Sequence, residues 1–248
     1  MQSGQRAGAA PTGGPHDLAD RRPTLARVTS LDSLTVAVLG GTGPQGRGLA
    51  RRFAAAGLVV VIGSRSAERA GTTAQQLAEA AGGDVTGLDN AAAAAKGDVV
   101  IVAVPWEGHR ELLESLREEL AGKVVVDCVN PIGFDKRGAY PLDVEEGSAA
   151  EQAASILPKS RVTAAFHHVS AVLLEDPEVD EVRTDVLVLG EDRDATDLVQ
   201  ALADTVPGMR GVYAGRLRNA HQVEALTANL ISINRRYKAH AGLRVTDV

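Results

Sequence analysis

The chain has 248 residues, enough for one sizeable α/β domain and a smaller C-terminal region. A net charge of −6 with interspersed signs argues against a nucleic-acid binder, and three Phe, three Tyr and one Trp give no stacking platform for single strands. The single cysteine, Cys128, ends an apolar strand-like run and reads as a buried thiol, so no disulfide framework is expected. With no stretch near the ~20 apolar residues of a membrane span and no signal-peptide core, a soluble, cytoplasmic protein is expected.

Residues 1–32 are rich in Gly, Ala, Pro, Arg and Gln without apolar periodicity and read as a disordered extension. Asp17, Asp20 and Asp32 argue against a mitochondrial presequence there. Residues 36–39 then form a short β-branched run expected of a buried parallel strand. Gly41, Gly43 and Gly46 follow in G-x-G-x-x-G register: for the tight turn, for the approach of a pyrophosphate, and for helix–strand packing. Leu49, Ala50, Phe53 and Ala54 recur at helical spacing, and Pro44 suits a first turn whose free N–H groups and dipole would face phosphates. Glycines alone are a weak signal. Here strand, glycines, helix, the stop at Gly57 and a second strand at residues 58–62 occur in βαβ order.

The end of the second strand selects the dinucleotide. Where an NAD enzyme places Asp or Glu for the ribose 2′-hydroxyl, this chain has Gly63-Ser64-Arg65, with Arg69 one turn later. Ser64 can donate a hydrogen bond, and Arg65 and Arg69, at i and i+4, can hold a 2′-phosphate. NADP is the expected ligand.

The alternation continues with a helix from its cap Ser66 to Ala81, a strand at 85–87, a short helix at 91–95 and a strongly apolar strand at 99–104, stopped by Pro105. An amphipathic helix at 107–120 precedes a fifth strand at 124–128, and residues 130–140 look like a functional loop. Ser148 caps a helix to about Leu157, residues 162–166 form a sixth strand, and 185–189 a later strand before a helix at 192–203. Residues 211–213 are weakly extended. A final helix spans 219–239 with an apolar stripe of Val223, Leu226, Leu230 and Ile233, which suits core or a dimer interface. The expected fold is a Rossmann-type doubly wound parallel sheet at 33–160, ligand across the carboxyl ends of its strands, with a smaller helical or α+β region at 161–248.

The motifs GGTGPQG, GSRSAERA, VAVPWEGH, NPIGFD, FHHVSA and LTANLISINRRYKAHAGLR, in this order, resemble those of the NADP:coenzyme F420 oxidoreductase family, in an actinobacterial style. That resemblance, covering residues 34 to the C-terminus, implies reversible hydride transfer between C4 of the nicotinamide and C5 of the deazaflavin, with no covalent intermediate. The chemistry belongs to the two cofactors, and the protein supplies positioning and exclusion of water. It implies that Thr42, Gly43, Pro44 and Gln45 line the pyrophosphate and that Ser64, Arg65 and Arg69 hold the 2′-phosphate. Val104, Pro105 and Trp106 would border the nicotinamide, with His109 close by and Asn130 and Ile132 as further contacts. Trp106, His167 and Ala171 would position the hydride partners, the small Ala171 letting the rings stack. No acid, base or metal is implied. Of the adjacent His167 and His168, an extended strand would admit one to the site, with either assignment open. The region up to Leu243 would close the deazaflavin pocket, and Arg216, Arg218, Arg235, Arg236 and Lys238 are available for its anionic phospholactate-glutamate tail. A homodimer through the last helix fits the same picture.

Two rivals remain at this level. An imine or pyrroline-carboxylate reductase, or a hydroxyacid dehydrogenase, could share the fold, although the final helix offers His221 and Asn229 without a lysine base before Lys238. A non-catalytic NADP sensor would bind NADPH without turning it over.

Overall fold

A computed structural model describes residue 1 and residues 31–248. The disordered extension expected at 1–32 therefore lies outside the described residues, apart from the start of a 3-10 turn at Leu31–Ser33. Five strands and their helices follow in βαβ order. They are β1 (Thr35–Leu39), α1 (Pro44–Ala55), β2 (Val59–Ser64), α2 (Ala67–Ala81), β3 (Val85–Asp89), α3 (Asn90–Lys96), β4 (Val99–Val102), α4 (His109–Ser115) and β5 (Val124–Asp127). A hairpin of β6 (Ile132–Asp135) and β7 (Gly138–Pro141) leads to α5 (Ala149–Ile156) and β8 (Arg161–Ala164). The chain ends with α6 (Ala171–Glu175), β9 (Thr184–Gly190), α7 (Arg193–Asp204), β10 (Met209–Gly215) and α8 (Ala220–Tyr237).

Eight strands form one sheet in the order β10-β9-β8-β5-β4-β1-β2-β3, continuous across residue 160. Neighbours are parallel except β8 and β9, which run antiparallel. The single reversal falls at the link between β8 and β9, residues 165–183, which carries the five-residue α6. Alternation along β1 sends Val36 and Val38 into a core with Leu49 and Phe53 of α1, and Ala37 and Leu39 into the opposite core with Ala93 of α3 and Leu113 of α4. Both faces are covered, which is why the central strands read as unbroken runs of Val and Ile.

Three expectations change. Residues 130–140 are a β-hairpin, since Asp135 Oδ1 accepts the N–H groups of Arg137 and Gly138 to close the turn. The 107–120 helix breaks into a 3-10 turn (Trp106–Gly108), α4 and further turns, while Leu113, Leu116 and Leu120 stay buried as the pattern required. The weak stretch at 211–213 is the middle of β10, an edge strand parallel to β9. Among the described residues no helix is long and apolar enough to cross a membrane.

Candidate functional site

β1 lies between β2 and β4, so the sheet reverses its winding there and leaves a crevice outside the carboxyl ends of β1 and β4. The glycine turn fills its floor. The left-handed residue is Gly40, at φ +77°, and a Cβ there would strike the Ala103 carbonyl oxygen at 2.4 Å. A Cβ on Gly46 would meet the Gly40 oxygen at 2.6 Å, so helix and strand touch backbone to backbone. At Gly43 the same atom would find only the Gly40 oxygen at 3.4 Å. The space above Gly43 is thus open, at the N-terminus of α1, where no side chain caps the helix and Pro44 occupies the first turn. This cradle fits a pyrophosphate.

At the end of β2, the buried Ser64 hydroxyl accepts the Ser66 N–H at 3.3 Å, and Ser66 caps α2 by accepting the Arg69 N–H at 3.2 Å. Arg65 and Arg69 are exposed, and an Arg69 Nη donates to Thr42 Oγ1 at 3.4 Å. The guanidinium group is therefore already held over the rim of the glycine turn. Asn90 Oδ1 is buried without a partner beside Gly63.

Beyond β4 the chain runs through Val104 and the exposed Pro105 to Trp106, whose ring stacks on His109 at 5.5 Å between centroids and 30° between planes. His109 itself is fully buried, so it lies beneath Trp106 and is not presented to the crevice as the resemblance implied. Its Nε2 is 2.6 Å from Asp127 Oδ2 and its Nδ1 3.0 Å from Gln152 Oε1. The Gln152 amide nitrogen donates to Glu146, which fixes its oxygen toward the ring. Both ring nitrogens thus face acceptors, the arrangement that suits an imidazolium. Burial opposes the charge, but Asp127 and the two hydrogen bonds prevail and raise the His109 pKa. An imidazolium there would place a cation beneath the Trp106 ring.

Sequence reasoning missed the other half of this cluster. Glu224, on α8 and 2% exposed, accepts the N–H groups of Ala149 and Ala150 at 3.0 and 3.1 Å, capping α5 from another element. Burial raises its pKa to about 7, helped by Asp127 and moderated by those two donors. The available signal was a carboxylate flanked at i−4 and i+4 by the small Ala220 and Ala228, within an otherwise buried stripe.

The β8–α6 loop supplies the second half of the site. β8 stops at Ala164, and Phe166 takes φ +63°, a costly conformation for an aromatic residue, held by an edge-on contact of its ring with Phe53 at 6.0 Å. Gln45 Nε2 donates to the Phe166 carbonyl at 3.1 Å, tying the glycine turn to this loop. The expectation that one histidine faces away fails because the strand has already ended: His167 and His168 line the same cavity of about 240 Å³ with Gln45, Asn130, Thr227 and Ala241. His168 Nε2 donates to the Asp185 carbonyl at 2.7 Å. Both nitrogens of the buried His167 lack a partner, and burial drives its pKa down to about 4, so the ring is neutral and unspent. Asn130 Nδ2 donates to the His167 carbonyl at 2.8 Å, and the Thr227 hydroxyl donates to that carbonyl at 3.1 Å, so three elements meet on one oxygen. Ala171 opens α6, half-buried, just past Ser170 of the cavity wall. Arg52, buried on α1, donates to the carbonyls of Leu173, Leu174, Asp176 and Val179 and so pins the segment after it.

Leu243 is seated differently from the expectation. Its N–H donates to Thr184 Oγ1 and its carbonyl accepts the Asp185 N–H, on the edge of β9, while Ala241 reaches the cavity. The buried Asp185 carboxylate receives Arg210, Arg244 and the Val245 N–H, which hold the C-terminal strand of chain down and keep its pKa at about 2 against the cost of burial. Ile132 begins β6, half-buried, paired with Pro141.

Residues 35–131 match the family model described as NADP oxidoreductase coenzyme F420-dependent. The F420-dependent NADP reductase of Methanothermobacter thermautotrophicus is 42% identical over 224 residues, 87% of this chain and 96% of that protein. Its Methanothermobacter marburgensis counterpart is 41% identical over 223 residues, covering 87% and 99%. Among solved structures, a putative F420-dependent NADP reductase from Arthrobacter sp. FB24 superposes with a TM-score of 0.74 at 26% identity, over 86% of this chain and 99% of that one.

Proposed function

Since the chain belongs to the F420-dependent NADP reductase family, we propose that it transfers a hydride reversibly between NADP(H) and the deazaflavin coenzyme F420. NADPH, oxidised F420 and a proton give NADP⁺ and reduced F420, with the hydride passing directly from C4 to C5. The observation that carries this reading is the continuity of the site: Gln45 belongs to the phosphate cradle and also lines the cavity with His167. A dinucleotide laid from Arg65 across Gly43 would therefore deliver its nicotinamide end to that cavity.

In this reading Gly41, Thr42, Gly43, Pro44, Gln45 and Gly46 hold the pyrophosphate, and Ser64, Arg65 and Arg69 hold the 2′-phosphate. Val104, Pro105 and Trp106 border the nicotinamide. His167 and Ala171 face the deazaflavin, the neutral ring of His167 offering a hydrogen bond without a competing charge. Asn130 and Thr227 act by fixing the His167 backbone, and His109 by fixing Trp106. Residues 161–248 serve as the deazaflavin-binding and dimerisation region. The hydride passes without a side-chain acid or base, the proton of the overall reaction being taken up from water, so what the fold supplies is near-attack geometry.

The decisive assay follows the long-wavelength absorbance of oxidised F420 on adding enzyme with NADPH, and separately with NADH. Bleaching with NADPH and little with NADH is expected. Tight NADPH binding without bleaching would overturn the assignment in favour of another acceptor or a sensor.

A homodimer and a cytoplasmic setting complete the proposal. Val223 and Leu230 of the stripe are consumed by the chain's own core, which leaves the exposed Ile233 and Tyr237 at the end of α8 for a partner copy. A monomeric mass in solution would remove the dimer, and sedimentation with membranes would remove the setting.

A further inference from the structure

β8 pairs with β9 at Thr163–Gly190 and Ala164–Leu189, the far end of β9 from Asp185, so the start of β9 has no strand on that side among the described residues. Asp185 is buried there with every polar atom engaged. Its carbonyl accepts His168 Nε2–H at 2.7 Å, and its N–H donates to the Leu243 carbonyl at 2.8 Å. Its Oδ1 accepts Arg244 at 2.8 Å and Arg210 at 3.2 Å, and its Oδ2 accepts Arg210 and the Val245 N–H, each at 2.6 Å. We propose that Asp185 is a positioning residue for the deazaflavin: its main chain sets the His168 ring and its carboxylate holds the C-terminal segment that places Ala241, so one residue fixes two walls of the cavity. The proposal rests on the F420 reading.

The segment from 239 onward depends on these contacts. Among the described residues none from 239 on is buried and none joins either apolar core, so polar contacts hold it. Most of them converge on Asp185. Arg210, besides gripping the carboxylate, donates to the Val245 and Val248 carbonyls, and Arg244 reaches the Gly208 carbonyl at 3.2 Å. A Cβ on Gly242 would meet Thr184 Oγ1 at 2.9 Å, so the segment lies directly on β9. The Ala241 N–H donates to Asn234 Oδ1 at 2.7 Å, and both residues line the cavity. Chain ends ordinarily fray, and a buried ion pair adds little net stability over apolar packing. What two arginines on one carboxylate supply here is a fixed position. The same residue orients His168: because Nε2 donates to its carbonyl, the ring presents Nδ1 as an acceptor, an atom buried without a partner in a residue of the cavity wall. Burial lowers the His168 pKa and keeps that ring neutral, ready to accept an N–H of a ring seated beside it.

The test separates the two cofactors in the full chain. F420 affinity is read from deazaflavin fluorescence without NADPH, NADPH affinity from titration calorimetry, and KM and kcat from hydride transfer. Arg244→Ala, at an exposed position, loosens the segment without opening the core. It should raise Kd and KM for F420 about five- to tenfold and leave the Kd for NADPH within about twofold, and Arg244→Lys should recover most of the loss. Asp185→Asn should weaken F420 further and lower kcat, because the strand that holds His168 shifts with the lost contacts; if that variant does not fold, the Arg244 pair decides. Trypsin gives a reading without substitution: F420 should slow cleavage of the wild type after Lys238 and Arg244, and NADPH should not. An F420 affinity unmoved in Arg244→Ala, equal losses for both cofactors, or cleavage indifferent to F420 would overturn the positioning role while leaving the reductase reading intact. If F420 binds but is not reduced, the reductase reading fails and the affinity split still decides the role of Asp185. A wild type that does not bind F420 overturns both.

Discussion

Asp127→Asn tests whether Trp106 rests on a buried cation. Asparagine keeps the shape of the side chain, and its oxygen can go on accepting the Val129 N–H that Asp127 Oδ1 receives at 3.0 Å. Its amide would then face His109 Nε2, which must become an acceptor. Because Nδ1 can still donate to Gln152, the neutral tautomer satisfies both contacts and the ring loses its charge. Breaking a buried ion pair costs about 3–5 kcal/mol, and the recovered hydrogen bonds place this variant at the lower end, about 3 kcal/mol. For a domain of this size, that is a fall of roughly 6–12 °C in Tm. The readout is direct because Trp106 is the single tryptophan of the chain. A protonated imidazole quenches a stacked indole, so the variant should emit more strongly at neutral pH than the wild type, and its KM for NADPH should rise. Unchanged emission with an unchanged Tm would refute the imidazolium under Trp106.

Three further outcomes follow from the geometry. Arg65→Ala should weaken NADP(H) binding by about 1.5–3 kcal/mol and leave NAD(H) binding nearly untouched, and equal losses for both in titration calorimetry would remove the 2′-phosphate assignment. Gly43→Val should lower NADPH affinity at least about tenfold at a stability cost of about 1 kcal/mol, because its side chain enters space that the protein leaves open; retained affinity would show that the pyrophosphate lies elsewhere. Glu224, lifted from 4.5 to about 7, holds in the folded state a proton that the unfolded chain releases. Its contribution is fully present below about pH 4.5 and is lost as pH rises through 7, to the extent of about 3 kcal/mol. Urea midpoints of the wild type should therefore fall across that window more than those of Glu224→Gln, and parallel profiles would contradict the assignment.

The NADP half was legible because each of its devices is local. Strand, turn, helix and the selecting Ser64-Arg65 lie within 35 residues, and each residue type there has a geometric reason that spacing alone expresses. Even so, the left-handed position fell on Gly40 and not on the fingerprint's first glycine, Gly41. The reversal between β8 and β9 was not legible. Residues 162–166 and 185–189 are apolar runs that read alike in either direction, and the five residues of α6 between them carry no helical period that would signal how the chain returns.

The deazaflavin half was legible as residues but not as geometry, and Phe166 explains the difference. Period-two reasoning put His167 and His168 on opposite faces, which is valid only while φ stays extended. One aromatic residue at φ +63° ends the strand's alternation, and nothing local announces it: the conformation is held by Phe53 and by Gln45, more than 100 residues earlier. The same holds for His109, whose partners Asp127, Gln152 and Glu224 come from β5, α5 and α8. Strain at Phe166 and the buried His109–Asp127 contact are each tolerable because the elements that hold them are themselves packed into the sheet. The site therefore forms with the whole domain, and substitutions at Phe53 or Glu224, which touch no cofactor in the proposed arrangement, should alter hydride-transfer geometry as well as stability.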